Sequence, residues 1–345
     1  MRRSLNQLKK VVFLTFFGLL LSGNLFAGDE PVEQLDMDIV LYEDILRGDS
    51  DALGLLERAL HDKGIVGVRG IPGYQEKVQD LIDTAIEFSA LPEEVKETYA
   101  PRGEIFLGYE RGKEKFQRPD GTWVIDDLKV SYYGFVPDNP NNKWPVEVDL
   151  KSPFQELGML MSEIGELVML RIGLIGENTG IYLEEAPRLG RMLYYCKNQK
   201  TSDDNPYWCG SHFDHSLFTA LLPAFYFVDG KQIAEPEEAG LFVKTDGKFK
   251  KVVANDRDVM MFQVGEFAQL ILNDQIRATE HRVHKALGSV ERYTMALFCD
   301  APMETVIHST SELTCDSRYG GEAGDPCSYR NWNERTFERY IVRDE

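Results

Sequence analysis

Positive charge is scarce in this chain. Lysine and arginine total 38 against 57 aspartate and glutamate, for a net charge of −19. A protein that grips phosphate backbones needs the opposite balance, so nucleic acid is excluded as a partner. The acidity favours solubility and says nothing of fold. Cysteine is also sparse. The five residues, Cys196, Cys209, Cys299, Cys315 and Cys327, form no C-x-x-C pair, so zinc-site and thioredoxin-type readings have no support. An odd count leaves at least one thiol free or bonded to another molecule. No repeat or low-complexity tract occurs, and no Ser-His-Asp or paired-carboxylate signature. Long apolar runs are missing too. Val11–Leu21 is too short for a membrane span, which needs about 20 residues.

That short run has a meaning of its own. Arg2, Arg3, Lys9 and Lys10 precede it and Leu25-Phe26-Ala27 follow it, the basic, apolar and small-residue order of a secretory signal. The expectation is cleavage near Ala27 and an exported or periplasmic chain, with an uncleaved membrane anchor as the alternative. No cysteine lies near the cleavage point, which argues against a lipoprotein. In an exported chain disulfides can form, and Cys315 and Cys327, which bracket a glycine-rich loop, are the expected pair.

The whole chain, 345 residues with 43% hydrophobic and 11% aromatic content, suits one large β-sandwich or barrel with helical additions. Residues 37–42 read as a short strand. Asp49 caps a helix over 52–62, Ile65–Val68 is a strand, and a second helix runs over 74–89. Residues 101–152 read as irregular. A long helix is expected from Pro153 to Asn178, buried across a sheet, with Met159, Met161 and Met169 as core fillers. From Arg188 the pattern is β, with strands expected at 190–196, 212–214, 217–222, 225–228, 240–244, 249–253, 258–262, 267–272, 277–283 and 291–299. Asp229-Gly230 and Asp246-Gly247 mark hairpin turns. Short strands between turn signals imply a closed or double-sheet fold. A last helix is expected over 332–342.

One stretch carries chemistry. In Ser211-His212-Phe213-Asp214-His215-Ser216, an extended backbone puts His212 and Asp214 on one face and turns Phe213 the other way, into packing. Two such neighbours need a third ligand from elsewhere. Two His and one carboxylate leave open positions on an octahedral metal, the arrangement of non-haem Fe(II) oxygenases. The third is sought in Glu280-His281-Arg282-Val283, where His281 is favoured and His284 is its rival. Further on, Arg292 and Thr294 share a strand face and offer a planar fork and a hydroxyl to a carboxylate. His61 and His308 read as surface residues, and His215 as a neighbour facing away from Asp214.

The order H-x-D, then N-D-x-I-x-A-T-E-H-R-V, then R-x-T resembles the isopenicillin N synthase-like family of Fe(II)- and 2-oxoglutarate-dependent dioxygenases, over about Met37 to Pro302. The resemblance implies a mainly β fold with α caps. Its core is a double-stranded β-helix, jelly-roll or cupin-like, with an N-terminal α/β region and a long buried helix. After the signal peptide already read over 1–27, it implies a cap region over 28–150, a catalytic core over 151–302 and a C-terminal extension over 303–345. His212, Asp214 and His281 would hold Fe(II). Arg292 and Thr294 would hold the far carboxylate of 2-oxoglutarate, and Tyr195 matches the family's tyrosine of the N-x-Y-P segment. Leu193 and Cys196 stand where that segment has Asn and Pro. The implied reaction oxidises a small organic substrate with O2 and releases succinate and CO2; part of 101–152 would line the substrate pocket. Two alternatives stay open: an Fe(II) oxidase that uses no 2-oxoglutarate, with Arg292 and Thr294 holding the substrate carboxylate, and an exported binding protein on the same fold.

Overall fold

The computed structural model describes residues 32–101, 107–113, 115–117, 121–125, 128–184, 186, 188–197, 206–253 and 256–340. The expected signal segment over 1–27 and the end of the expected last helix, past 340, lie outside them. The elements that matter here are, in chain order, β1 (Ile39–Leu41), α1 (Ser50–Asp62), β2 (Ile65–Arg69), α2 (Tyr74–Ser89), β3 (Gly108–Arg111), β4 (Lys129–Phe135), α3 (Lys151–Arg171) and β5 (Arg188–Tyr195). They continue with β6 (Tyr207–His212), β7 (Phe218–Leu221), β8 (Phe225–Val228), β9 (Gly240–Thr245), β10 (Lys248–Val252) and β11 (Val259–Val264). Last come α4 (Glu266–Ile271), β12 (His281–His284), β13 (Glu291–Cys299) and α5 (Tyr329–Tyr340).

Two sheets build the core. The large one runs β1-β2-β11-β7-β13-β5-β4-β3, with β8 also paired to β13. The small one runs from Gln34–Leu35 through β10, β9 and β12 to β6. This is the double-sheet β architecture the short strands imply.

Strand alternation gives the large sheet two different faces. On β13, Tyr293, Met295, Leu297 and Cys299 join the main apolar core. Arg292, Thr294, Ala296 and Phe298, between them, line a cavity facing the small sheet. The same division holds on β7, β11 and β5: Phe218, Ala220, Met260, Phe262 and Met192 face the core. Thr219, Leu221, Met261, Gln263, Arg191, Leu193 and Tyr195 face the cavity. α3 covers the core face, burying Phe154, Leu157, Met161, Ile164 and Val168. It is the buried helix expected, although it ends at Arg171, and of the three methionines expected as core fillers Met161 and Met169 are buried while Met159 is exposed, on the outer face of the helix.

Several expectations are corrected. Residues 267–272 are not a strand but lie in α4 or just past it. Phe267, Ala268, Gln269 and Leu270 are all buried, so no alternation was available to separate helix from strand. The chain leaves the sheet at Gly265, where a Cβ would lie 2.1 Å from the Ser216 carbonyl oxygen. Only glycine fits there, and Glu266 then turns to donate its backbone N–H to the Asp214 carbonyl at 2.8 Å. Residues 101–152 are less irregular than their composition suggests, because β3 and β4 extend the large sheet beside β5. All five cysteines are free thiols: Cys327 is buried and Cys315 exposed, so the expected bridge is not formed. The two hairpin turns hold, with positive φ at Asp229 and Gly230 and at Asp246 and Gly247, as paired left-handed residues require. No helix among the described residues is long and apolar enough to cross a membrane.

Candidate active site

The site is assembled by one antiparallel pairing. β12 lies against β6, and His281 stands directly opposite His212. Their rings are 4.2 Å apart between centroids. β6 ends at His212, so Asp214 is in the following loop and not on a strand as expected. Phe213 is 38% exposed and does not turn into packing; with no strand partner beyond His212, the chain swings it outward. His212 and Asp214 still converge. His212 Nε2 is 3.8 Å from Asp214 Oδ1, and His281 Nε2 is 3.9 Å from Asp214 Oδ2. These are the one group of metal-ligating side chains with mutual distances within 4.8 Å among the described residues.

Hydrogen bonds fix which nitrogens face inward. His212 Nδ1 donates to the Gly210 carbonyl at 2.8 Å, and His281 Nδ1 donates to the Thr279 carbonyl at 2.9 Å. A carbonyl only accepts, so both Nδ1 atoms carry the proton. Each Nε2 is then the ring nitrogen turned to the cluster and the one that can ligate a metal when unprotonated, with the Nδ1 bond as the usual second contact of metal-binding histidines. Thr219 Oγ1 donates to Asp214 Oδ2 at 2.6 Å and fixes the carboxylate. Burial opposes ionisation of Asp214, but the two imidazoles beside it hold its pKa below the ordinary value. Burial and then the neighbouring His212 push His281 down to about 4, so it is a neutral ligand. Desolvation opposes the charge on His212 too, yet Cys209 and Asp214 outweigh it and raise His212 to about 9. A dication would have to displace that proton.

His284 is excluded as a ligand by the strand's alternation. It points to the other face of β12 and stacks on Phe242 at 4.0 Å. His215 also turns away, with Nε2 2.7 Å from Asn333 Oδ1 on α5. His61 and His308 are exposed.

At the far end of the cavity Arg292 is 5% exposed. Its Nε donates to Tyr226 Oη at 3.2 Å, and its guanidinium lies 4.9 Å from the Tyr195 ring centroid. Nη1 is buried with no partner among the described residues. A buried guanidinium nitrogen without an acceptor is costly, and a carboxylate would satisfy it. Thr294 Oγ1 donates to the Leu222 carbonyl at 3.0 Å, a bond the hydroxyl can exchange for a carboxylate oxygen by rotating. Tyr195 is buried beside them, its hydroxyl pushed up to about 12 chiefly by burial. The three residues expected at a metal thus meet at one end of the cavity, and the three expected at a cosubstrate meet at the other.

Other lining residues were not singled out by sequence. Glu235 balances the cations at the Arg292 end and pairs with Lys251 at 3.0 Å. Thr219 sits on a strand read only as an apolar run, and Gln263 one residue past the strand expected over 258–262. Lys129 and Arg191 also line the cavity, from segments whose role sequence left undivided. Leu193, Leu221, Val252, Met261 and Val283 give the walls their apolar character.

Residues 189–301, the part that holds every one of these ligating groups, match the family model of the 2OG-Fe(II) oxygenase superfamily. A "Probable 2-oxoacid dependent dioxygenase" of Arabidopsis thaliana is 24% identical over 286 residues, covering 79% of this chain and 71% of that protein. The fold is similar to a full-length Neurospora crassa protein solved in complex with alpha-KG, at 21% identity and a TM-score of 0.70, covering 90% of this chain and 99% of that one. It is also similar to the dioxygenase for auxin oxidation 1 from Arabidopsis thaliana in its 2-oxoglutarate complex, at 16% identity and a TM-score of 0.57, covering 78% and 94%. The chain carries a 2OG-Fe(II) oxygenase domain over residues 189–301, on the jelly-roll fold of those solved structures. It is an oxidoreductase whose metal is iron and whose cosubstrate is 2-oxoglutarate. The residues present fit both groups, on the donor set around Asp214 and on the unpartnered Arg292 Nη1.

Proposed function

We propose that this enzyme hydroxylates, desaturates or cyclises a small organic molecule, using O2, with His212, Asp214 and His281 as the protein ligands of iron. Bound iron and 2-oxoglutarate supply the oxidising power, with succinate and CO2 as the cosubstrate's products. The chain's residues do the rest. His212 and His281 present Nε2 because Gly210 and Thr279 hold Nδ1. Thr219 orients the carboxylate. Arg292, with Thr294 and Tyr195, takes the far carboxylate of the cosubstrate and sets its direction. The apolar walls limit water. The observation that carries the reading is the convergence of two pinned imidazoles on one fixed carboxylate, at the opposite end of the cavity from an unpartnered guanidinium nitrogen.

The test is CO2 release from 2-oxoglutarate labelled at C1, with Fe(II) and air. Slow uncoupled release is expected without any substrate, and its loss in Asp214→Ala. Release that persists in that variant, or none in the native protein, contradicts the reading. We further propose that the chain is exported, on the basic start, apolar run and Ala27 of its leader. N-terminal sequencing of the protein from its native source should begin near Gly28; an intact Met1 refutes cleavage.

A further inference from the structure

Gln263 holds a buried amide without a partner among the described residues. It lies on β11, is 1% exposed, and neither Oε1 nor Nε2 makes a hydrogen bond among the described residues. The side chain lines the cavity shared by His212, Asp214, His281 and Arg292. Of the buried side-chain atoms around that cavity, these two and Arg292 Nη1 are the ones unpartnered among the described residues. Leaving such a group unpaired costs about 1–3 kcal/mol. Apolar side chains occupy the neighbouring inward position, Met261, and the one across from that, Leu221, so a polar residue at 263 is not required by packing.

Register says which end of the cavity the amide serves. Gln263 is directly opposite Thr219, the residue that donates to Asp214 Oδ2. Thr219 is in turn opposite Phe298 on β13. Arg292 is six residues back along that strand. Gln263 is therefore at the metal end. We infer that Gln263 is a positioning residue for the anionic cosubstrate: its Nε2 donates to the carboxylate or keto oxygen at the metal end of 2-oxoglutarate, while Arg292 takes the other end. This rests on the function proposed above. 2-Oxoglutarate offers acceptors only, so it satisfies Nε2, and water in the cavity supplies a donor to Oε1.

The experiment measures Mn(II) affinity and then 2-oxoglutarate affinity of the Mn(II)-loaded full chain by calorimetry, in the native protein, Gln263→Met and Arg292→Leu. Manganese keeps turnover out of the readout. The inference predicts about tenfold weaker 2-oxoglutarate binding in Gln263→Met, unchanged Mn(II) affinity, and a metal-free thermal midpoint no lower than native, because an unsatisfied buried group has been removed. If Gln263→Met does not fold, Gln263→Asn, which keeps the amide and shortens its reach, should show the same weakening. Unchanged 2-oxoglutarate affinity overturns the inference. So does an equal loss of Mn(II) affinity, which would make the amide a support for Asp214 instead. If the native protein binds no 2-oxoglutarate and Arg292→Leu changes nothing, the proposed function itself fails and takes this inference with it.

Discussion

At the scale of single residues, the site separates side chains that bind from side chains that hold the binders. His281 and Asp214 point into the cluster, and replacing either with alanine should abolish iron-dependent turnover. Thr219 holds Asp214 through a 2.6 Å bond. Thr219→Val keeps the shape and removes that bond, and should weaken metal binding about 10- to 100-fold, the range for residues that orient ligands. Calorimetric titration with Fe(II) under argon measures it; unchanged affinity would show the carboxylate to be fixed by its loop alone. At the other end, Arg292→Leu should raise the KM for 2-oxoglutarate by about two orders of magnitude, in keeping with about 2–3 kcal/mol for a charge-assisted pair. The metal affinity of that variant should not move, and a parallel fall in both would place Arg292 in the folding core and not in the cradle.

At the scale of elements, the loop that carries Asp214 is secured from behind. Glu266, the first residue of α4, gives its backbone N–H to the Asp214 carbonyl, and its side chain lies in a bidentate pair with Arg318 at 2.6 and 2.7 Å. Both side chains are 6% exposed. Trp332 Nε1 donates to the His215 carbonyl at 3.1 Å, and Arg318 stacks on that indole at 4.2 Å. Removing one partner of a buried pair leaves the other charge uncompensated, so Arg318→Met should cost about 3–5 kcal/mol in urea unfolding. A cost below about 1 kcal/mol, the level of an exposed pair, would mean that water reaches Glu266.

The same elements show how far sequence reading reaches. His212, Asp214 and His281 were legible because short-range spacing and a motif order name them, and α2 because its apolar positions repeat at helical intervals between Gly73 and Ser89. α4 was not legible, since a segment buried on every side has no period. β3 and β4 were hidden by glycines and aromatics that look like a loop until β5 supplies the partner. Thr219, Gln263 and Glu235 became visible only when strand register put them around one cavity. A lone Thr or Gln in an apolar run carries no local signal of what lies across the sheet.

At the scale of the whole molecule, the C-terminal extension is part of the core. Tyr319, Cys327, Tyr329 and Trp332 are buried within the main apolar cluster, and Asp300 accepts from the Tyr329 hydroxyl. A chain ending at Pro302 would expose those contacts and should be recovered insoluble or unfolded by circular dichroism; a soluble, cooperatively melting truncation would contradict this. Acid sensitivity is expected from the same region. Burial opposes the charge on Asp316, but bonds from Arg318 and Arg339 hold its pKa well below the carboxylate range. A depressed carboxylate stabilises the fold above its unfolded value of about 3.9 and loses that contribution as pH falls through its folded value. Stability should therefore drop below about pH 4, and less steeply in Asp316→Asn, as followed by thermal midpoint against pH.

The central claim is that one cavity binds iron at His212, Asp214 and His281 and 2-oxoglutarate between that metal and Arg292. Its most direct test is the weak visible charge-transfer band formed when 2-oxoglutarate is added to the Fe(II)-loaded protein without oxygen. The account predicts a saturable band in the native chain, absent in Asp214→Ala at any concentration, and restored in Arg292→Leu only at about a hundredfold more 2-oxoglutarate. Iron binding with no band in the native chain, or a band that survives loss of Asp214, would contradict it.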